Sequence, residues 1–141
     1  MPPTSVECKD LLVTAGVGTF AAASGWGIYI SQEPESPNTT ITVYDVGGLT
    51  PNPKFLLDEP SVQLRIRGAP DAYLAAYTKA LDCKNALLGL TPQTLNGVNI
   101  RGILAIGDIA FLSYDEQRRP ILTQNWRFII QPASGTYREA L

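Results

Sequence analysis

The chain has 141 residues, of which 45% are apolar and 17% charged, and its net charge is −2. That length supports one domain over residues 1–141 whose core needs no metal or disulfide staple, and that hydrophobicity excludes a disordered chain. Histidine is missing, which removes the usual general base and the commonest metal ligand near neutrality.

Thr4 and Glu7 have capping-box spacing, and the run through Leu11, Leu12 and Val13 to Gly16 predicts a short first helix. Cys8 falls within it. With the distant Cys83 and no CxxC spacing, both cysteines read as buried, reduced apolar residues. Residues 16–25 read as a small-residue loop. Residues 11–32 carry no charge, but the segment before them holds Glu7, Lys9 and Asp10, and glycines dilute its hydrophobicity. A soluble intracellular chain with neither signal peptide nor membrane span is therefore expected.

Ile28 and Ile30 alternate with Tyr29 and Ser31 in a strand, Pro34, Ser36, Pro37 and Asn38 break it, and residues 40–44 resume in β-branched and aromatic residues. A hairpin with a long loop is expected from these two strands. Residues 45–60 contain Gly47, Gly48, Pro51, Pro53 and Pro60, predicting an irregular protruding loop long enough to suspect partner contact.

Val62, Leu64 and Ile66 alternate with Gln63, Arg65 and Arg67, the cleanest one-face-buried strand in the chain. From residue 71 to 88, Tyr73, Ala76, Tyr77, Ala80, Leu81, Cys83, Leu87 and Leu88 recur at helical spacing, and Gly89 stops the main helix. Asn96-Gly97 predicts a tight hairpin turn. The long arm after it is broken at Gly107-Asp108, where a bulge is expected. Residues 115–120 form a charged turn. Leu122, Trp126, Phe128 and Ile130 mark a last strand, and residues 135–141 read as tail. This order predicts an α+β domain: a mostly antiparallel sheet with two helices packed on one face, plus a protruding β-hairpin or long loop.

Little points to chemistry. Asp58-Glu59 and Asp115-Glu116 are adjacent acids in predicted loops, where neighbouring side chains diverge, so they read as solvated turn charge instead of a catalytic or metal pair. Glu7-Cys8-Lys9 has a nuclease-like E-x-K spacing, but on a helix. Gly16-x-Gly18 lacks the elements of a phosphate loop, and Asn38-Thr39-Thr40 matches a glycosylation sequon within a turn. No catalytic residue, metal site or cofactor is expected, and the chain reads as a non-enzyme.

Charge is distributed unevenly. Residues 1–60 hold seven acids against Lys9 and Lys54, whereas residues 61–141 hold nine bases against six acids, so the halves carry about −5 and +3. Such asymmetry reads either as complementary faces for head-to-tail self-association or as scattered solvated charge. The bases are too dispersed for nucleic-acid tracking. Arg65 and Arg67 on one strand, Arg118 and Arg119 in a turn and Arg127 on the last strand suit bidentate pairing with carboxylates across a protein interface.

Val43-Tyr44-Asp45-x-Gly47-Gly48, the Pro51-Asn52-Pro53 loop, Pro60-x-x-Gln63-x-Arg65-x-Arg67-Gly68 and the segment from Asp115-x-x-Arg118 to Asn125-Trp126-Arg127 together resemble the minor capsid or tail terminator family of long-tailed, non-contractile bacteriophages. The likeness spans residues 40–131. It implies a structural virion protein at the head-proximal end of the tail, assembled in the host cytoplasm. There it forms a homo-hexameric ring on the tail tube protein, stops tube growth, and meets the head-tail connector proteins. DNA would pass through the ring without sequence-specific binding, and no membrane or cofactor is involved. By this resemblance Arg65, Arg67, Asp115, Glu116, Arg118 and Arg119 are the candidate subunit or partner interface. A connector or tube-like ring subunit is the nearest alternative. A small metal-dependent hydrolase using Asp58, Glu59, Asp115 or Glu116 is the alternative of another class.

Overall fold

A computed structural model of the chain describes residues 2–51 and 56–131. The expected tail at 135–141 and the Asn52 and Pro53 positions of the long loop lie outside the described residues. The strand with the cleanest alternation, β4 (Pro60–Arg67), sits mid-sheet, antiparallel to β3 (Thr40–Gly48) and to β7 (Pro120–Gln131). Its Val62, Leu64 and Ile66 are fully buried, as period-two patterning requires. On one side β7 pairs with β6 (Val98–Tyr114), and β6 with β5 (Gln93–Leu95) through Asn96 and Gly97. Both turn residues have positive φ, 53° and 76°, which is what the Asn-Gly dipeptide accommodates. On the other side β3 pairs with β2 (Gly27–Ile30), and β2 with a two-residue β1 (Thr19–Phe20). The sheet order is β1-β2-β3-β4-β7-β6-β5.

This architecture corrects the expected one. Strand dominates at 44%, the helices are two short ones, and the sheet is mixed and curls into a half-barrel; it is not a mostly antiparallel sheet with two helices packed on one face. Curvature has visible sources. Twist accumulates over seven strands, and register shifts break β6 at Ile100/Gly102, Ile106/Ala110 and Phe111/Ser113. The expected bulge at Gly107, φ 76°, is the middle one.

The expected hairpin between β2 and β3 is also absent, because these strands run parallel, with Ile28 opposite Ile41 and Tyr29 opposite Thr42. Alternation reads the same for either direction, and the path of residues 31–39 decides it. Part of the predicted loop at 45–60 is strand as well. β3 runs on to Gly48, Asp58 bridges to Ile130, and Gly48 sits at φ 129° where any Cβ would overlap the Glu59 carbonyl.

The core gathers Ile28, Ile41, Val43, Val62, Leu64, Ile66, Trp126 and Phe128 from the sheet. Helix α1 (Thr4–Thr14) adds Cys8, Leu11 and Leu12, and helix α2 (Tyr73–Leu87) adds Ala80, Cys83 and Leu87. The α2 face is narrower than its pattern suggested, since Tyr77 and Leu88 are exposed. Both cysteines are free and buried. Burial lifts both thiols, that of Cys83 to about 12, so neither supplies a thiolate nucleophile. The capping box does not form: Thr4 is already helical, Pro3 occupies the cap without a side-chain bond, and Glu7 turns inward.

One buried polar relay ties sheet to helix. Trp126 Nε1 donates to Gln124 Oε1 at 2.7 Å, and Gln124 Nε2 donates to the Ala80 carbonyl at 2.9 Å. Gln124→Ala leaves the indole N–H without its acceptor. An unfolding free energy lower by about 1.5 kcal/mol is expected in urea titration, and an unchanged midpoint would show the relay to be energetically idle.

Candidate assembly surface

Residues 31–38 explain where most of the predicted interface arginines go. Arg65 and Arg67 share the outward face of β4, opposite Thr42 and Thr40, and the segment linking β2 to β3 packs across them. Arg67 is only 3% exposed. Its Nε donates to the Asn38 carbonyl at 3.0 Å, one terminal nitrogen to Glu33 Oε1 at 2.8 Å, and the other to the carbonyls of Pro34 at 2.6 Å and Pro37 at 2.8 Å. The second carboxylate oxygen of Glu33 lies 2.8 Å from Arg65 Nε. One acid thus bridges two arginines. Thr40 and Thr42 are fully buried on this same face.

Arg119 closes the cluster from the β6–β7 turn. It is buried, donates from Nε to Asp115 Oδ2 at 2.7 Å, and reaches the Glu35 carbonyl at 2.8 Å. Asp115 also accepts the backbone N–H groups of Gln117 and Arg119, both at 2.9 Å. Burial alone would push the Asp115 carboxyl up, but these hydrogen bonds together outweigh it and hold the group below its ordinary 3.8. Asp115 is therefore the organiser of a turn.

Arg118 is arranged differently. Its side chain is 77% exposed and its Nε bonds Asp71 Oδ1 at 2.8 Å. Arg118 and Asp71 both have positive φ, 62° and 58°, and the Asp71 N–H donates to the Arg118 carbonyl at 2.9 Å. Two non-glycine residues in the left-handed region are thus tied to each other at the surface. Glu116 beside them is exposed. The six predicted residues gather at one end of the sheet, where Arg67 and Tyr114 flank the first residues of β7.

The other acidic pair lies elsewhere. Asp58 and Glu59 line an open cleft of about 660 Å³ with Pro2, Thr4, Gly48 and Leu49. Among the described residues no three His, Cys, Asp or Glu side chains converge as metal ligands, and no helix is long and apolar enough to cross a membrane.

Sequence reasoning missed two features. One is the Glu33, Glu35 and Asn38 segment that receives Arg67 and Arg119. The other is a run of exposed apolar side chains on β6: Leu104, Ile106, Phe111, Leu112 and Tyr114. The signal for the second was present, since residues 102–114 carry one charge, Asp108.

No curated protein matches the chain. The family model described as bacteriophage tail terminator protein matches it over residues 11–132, from within α1 through the whole sheet. With that share of the chain matched, the protein belongs to the bacteriophage tail terminator family and is a structural component of the virion tail.

Proposed function

We propose that copies of this chain close into a homo-hexameric ring on the last ring of tail-tube subunits and stop tube growth. The other face of the ring meets the head-tail connector proteins at the head-proximal end of the tail. Assembly takes place in the host cytoplasm, and DNA passes through the ring without sequence-specific contacts. Membership of the tail terminator family is the observation that carries this reading. The uneven charge of the two chain halves supports it, because a head-to-tail contact repeated about an axis closes a ring.

Within this reading the β6–β7 turn faces a partner through Glu116 and Arg118. Arg65, Arg67, Asp115 and Arg119 serve the contact by holding the turn and residues 31–38 in shape. Arg118→Ala removes an exposed pair with Asp71, so stability should change by less than about 1 kcal/mol while capping of tube ends weakens. Capping at wild-type level would remove Arg118 from the contact.

Multi-angle light scattering on the purified protein, alone and with short tail-tube fragments, tests the function. A hexamer, or a monomer that becomes a ring on tube ends, is the expected result. A chain that extends tubes is a tube-like subunit, and a persistent monomer that binds no tube overturns the proposal.

A further inference from the structure

We infer that the free edge of β6 is the site where the next copy of the chain adds its own sheet, through the open end of β3. This deepens the ring reading and rests on it. β5 pairs only with residues 98–100, so the edge of β6 from Arg101 to Tyr114 has no strand partner among the described residues. An unpaired edge of that length is a template for another chain, and proteins that must stay monomeric blunt such edges with charge or proline. Here residues 102–114 contain no proline and only Asp108 as a charge, and Lys84 neutralises it at 3.0 Å. Leu104, Ile106 and Leu112 are 47%, 37% and 56% exposed along it. What blunting it has comes from the register shifts at Ile100/Gly102, Ile106/Ala110 and Phe111/Ser113.

The complementary edge lies across the same sheet. β2 ends its pairing at Ile30 opposite Val43, leaving the rest of β3 without a strand partner on that side among the described residues, with residues 45–48 exposed, Val46 at 48%, and a register shift between Asp45 and Gly48. An open edge on each side of one sheet fits a head-to-tail contact, because neither edge meets itself. Charge agrees. Asp45, whose carboxylate accepts from the Ser5 N–H and hydroxyl, stands within the open stretch of β3. Arg101, whose described side-chain bond is to the neutral Gln131, opens the β6 edge, and Arg127 lies one strand inward, on β7 opposite Leu104. Asp45 on one edge and Arg101 on the other would fix the register of the pair.

The test uses two exposed positions. Leu104→Glu sets an anion against the acidic β3 edge, and Val46→Lys sets a cation against the basic β6 edge. By light scattering, alone and on tube ends, each variant should stay at the 15.3 kDa chain mass while keeping the wild-type circular dichroism. Mixed together, they should assemble into particles containing both, since the spoiled edges now attract. A mixture that stays monomeric overturns the contact, and so does either variant that keeps the wild-type multimer; in the second case the ring reading stands with its contact elsewhere. A wild type that is monomeric both free and on tube ends overturns the ring and this contact together.

Discussion

Arg67→Ala is expected to lower the unfolding free energy by about 3–5 kcal/mol, the scale for removing one partner of a buried ion pair. The guanidinium is 3% exposed, and its loss leaves Glu33 with Arg65 as its one remaining cation and strands the carbonyls of Pro34, Pro37 and Asn38 that it now joins. The crossover that lets β3 lie parallel to β2 then keeps only its ties to Arg65 and Arg119. Arg67→Lys should recover only part of the loss, because an ammonium keeps the charge but cannot present a planar fork to acceptors on several sides. Guanidinium chloride titration reads both effects. A double-mutant cycle with Arg119→Ala should show coupling through the shared segment, since Arg119 bonds the Glu35 carbonyl and Asn38 Oδ1. Additive losses would mean that the two arginines hold independent structures.

Glu7 carries the opposite expectation. The side chain is 2% exposed, neither carboxylate oxygen has a hydrogen-bond partner, and Val98, Phe128 and Ile130 line the space beside it. Burial pushes its carboxyl above the ordinary 4.5, the nearness of its own backbone N–H offsets part of this, and the charges of Asp10 and Asp45 push further up. A carboxyl with a raised folded-state pKa binds its proton more tightly in the fold than in the unfolded chain. Its destabilising effect is therefore absent below the unfolded value, grows as pH rises through the window up to the folded value, and is complete above it. Asp115, held low, works in the other direction: its contribution is present above the unfolded value and lost as pH falls. The difference between wild type and Glu7→Gln isolates the Glu7 effect, and should widen as pH rises from 4 toward 7. Glu7→Met, which removes both unpaired oxygens and fits an apolar setting, should raise stability at pH 7 by about 2–3 kcal/mol. A pH-independent difference, or a Met variant less stable than wild type, would show that Glu7 is solvated or paired in solution.

Some of this protein was legible in its sequence because local rules decide it. Alternation buried Val62, Leu64 and Ile66, the Asn96-Gly97 pair made its hairpin, and Gly107 made its bulge, all from side-chain period and permitted φ. The family resemblance, carried by turns and strand residues from Val43 to Arg127, agrees with a family match over residues 11–132. What local rules could not decide was direction and destination. The β2 pattern is equally compatible with either strand orientation, and only the passage of residues 31–39 across β4 makes the pair parallel. Arg65 and Arg67 occupy the outward face that alternation assigns, yet Arg67 is buried, because a distant segment with Glu33 and four carbonyls covers that face. Glu7 matched a cap by spacing, but packing of α1 against the sheet turned it into the core. Curvature was likewise settled by tertiary structure, since twist and bulges add up only when seven strands are hydrogen-bonded in one order.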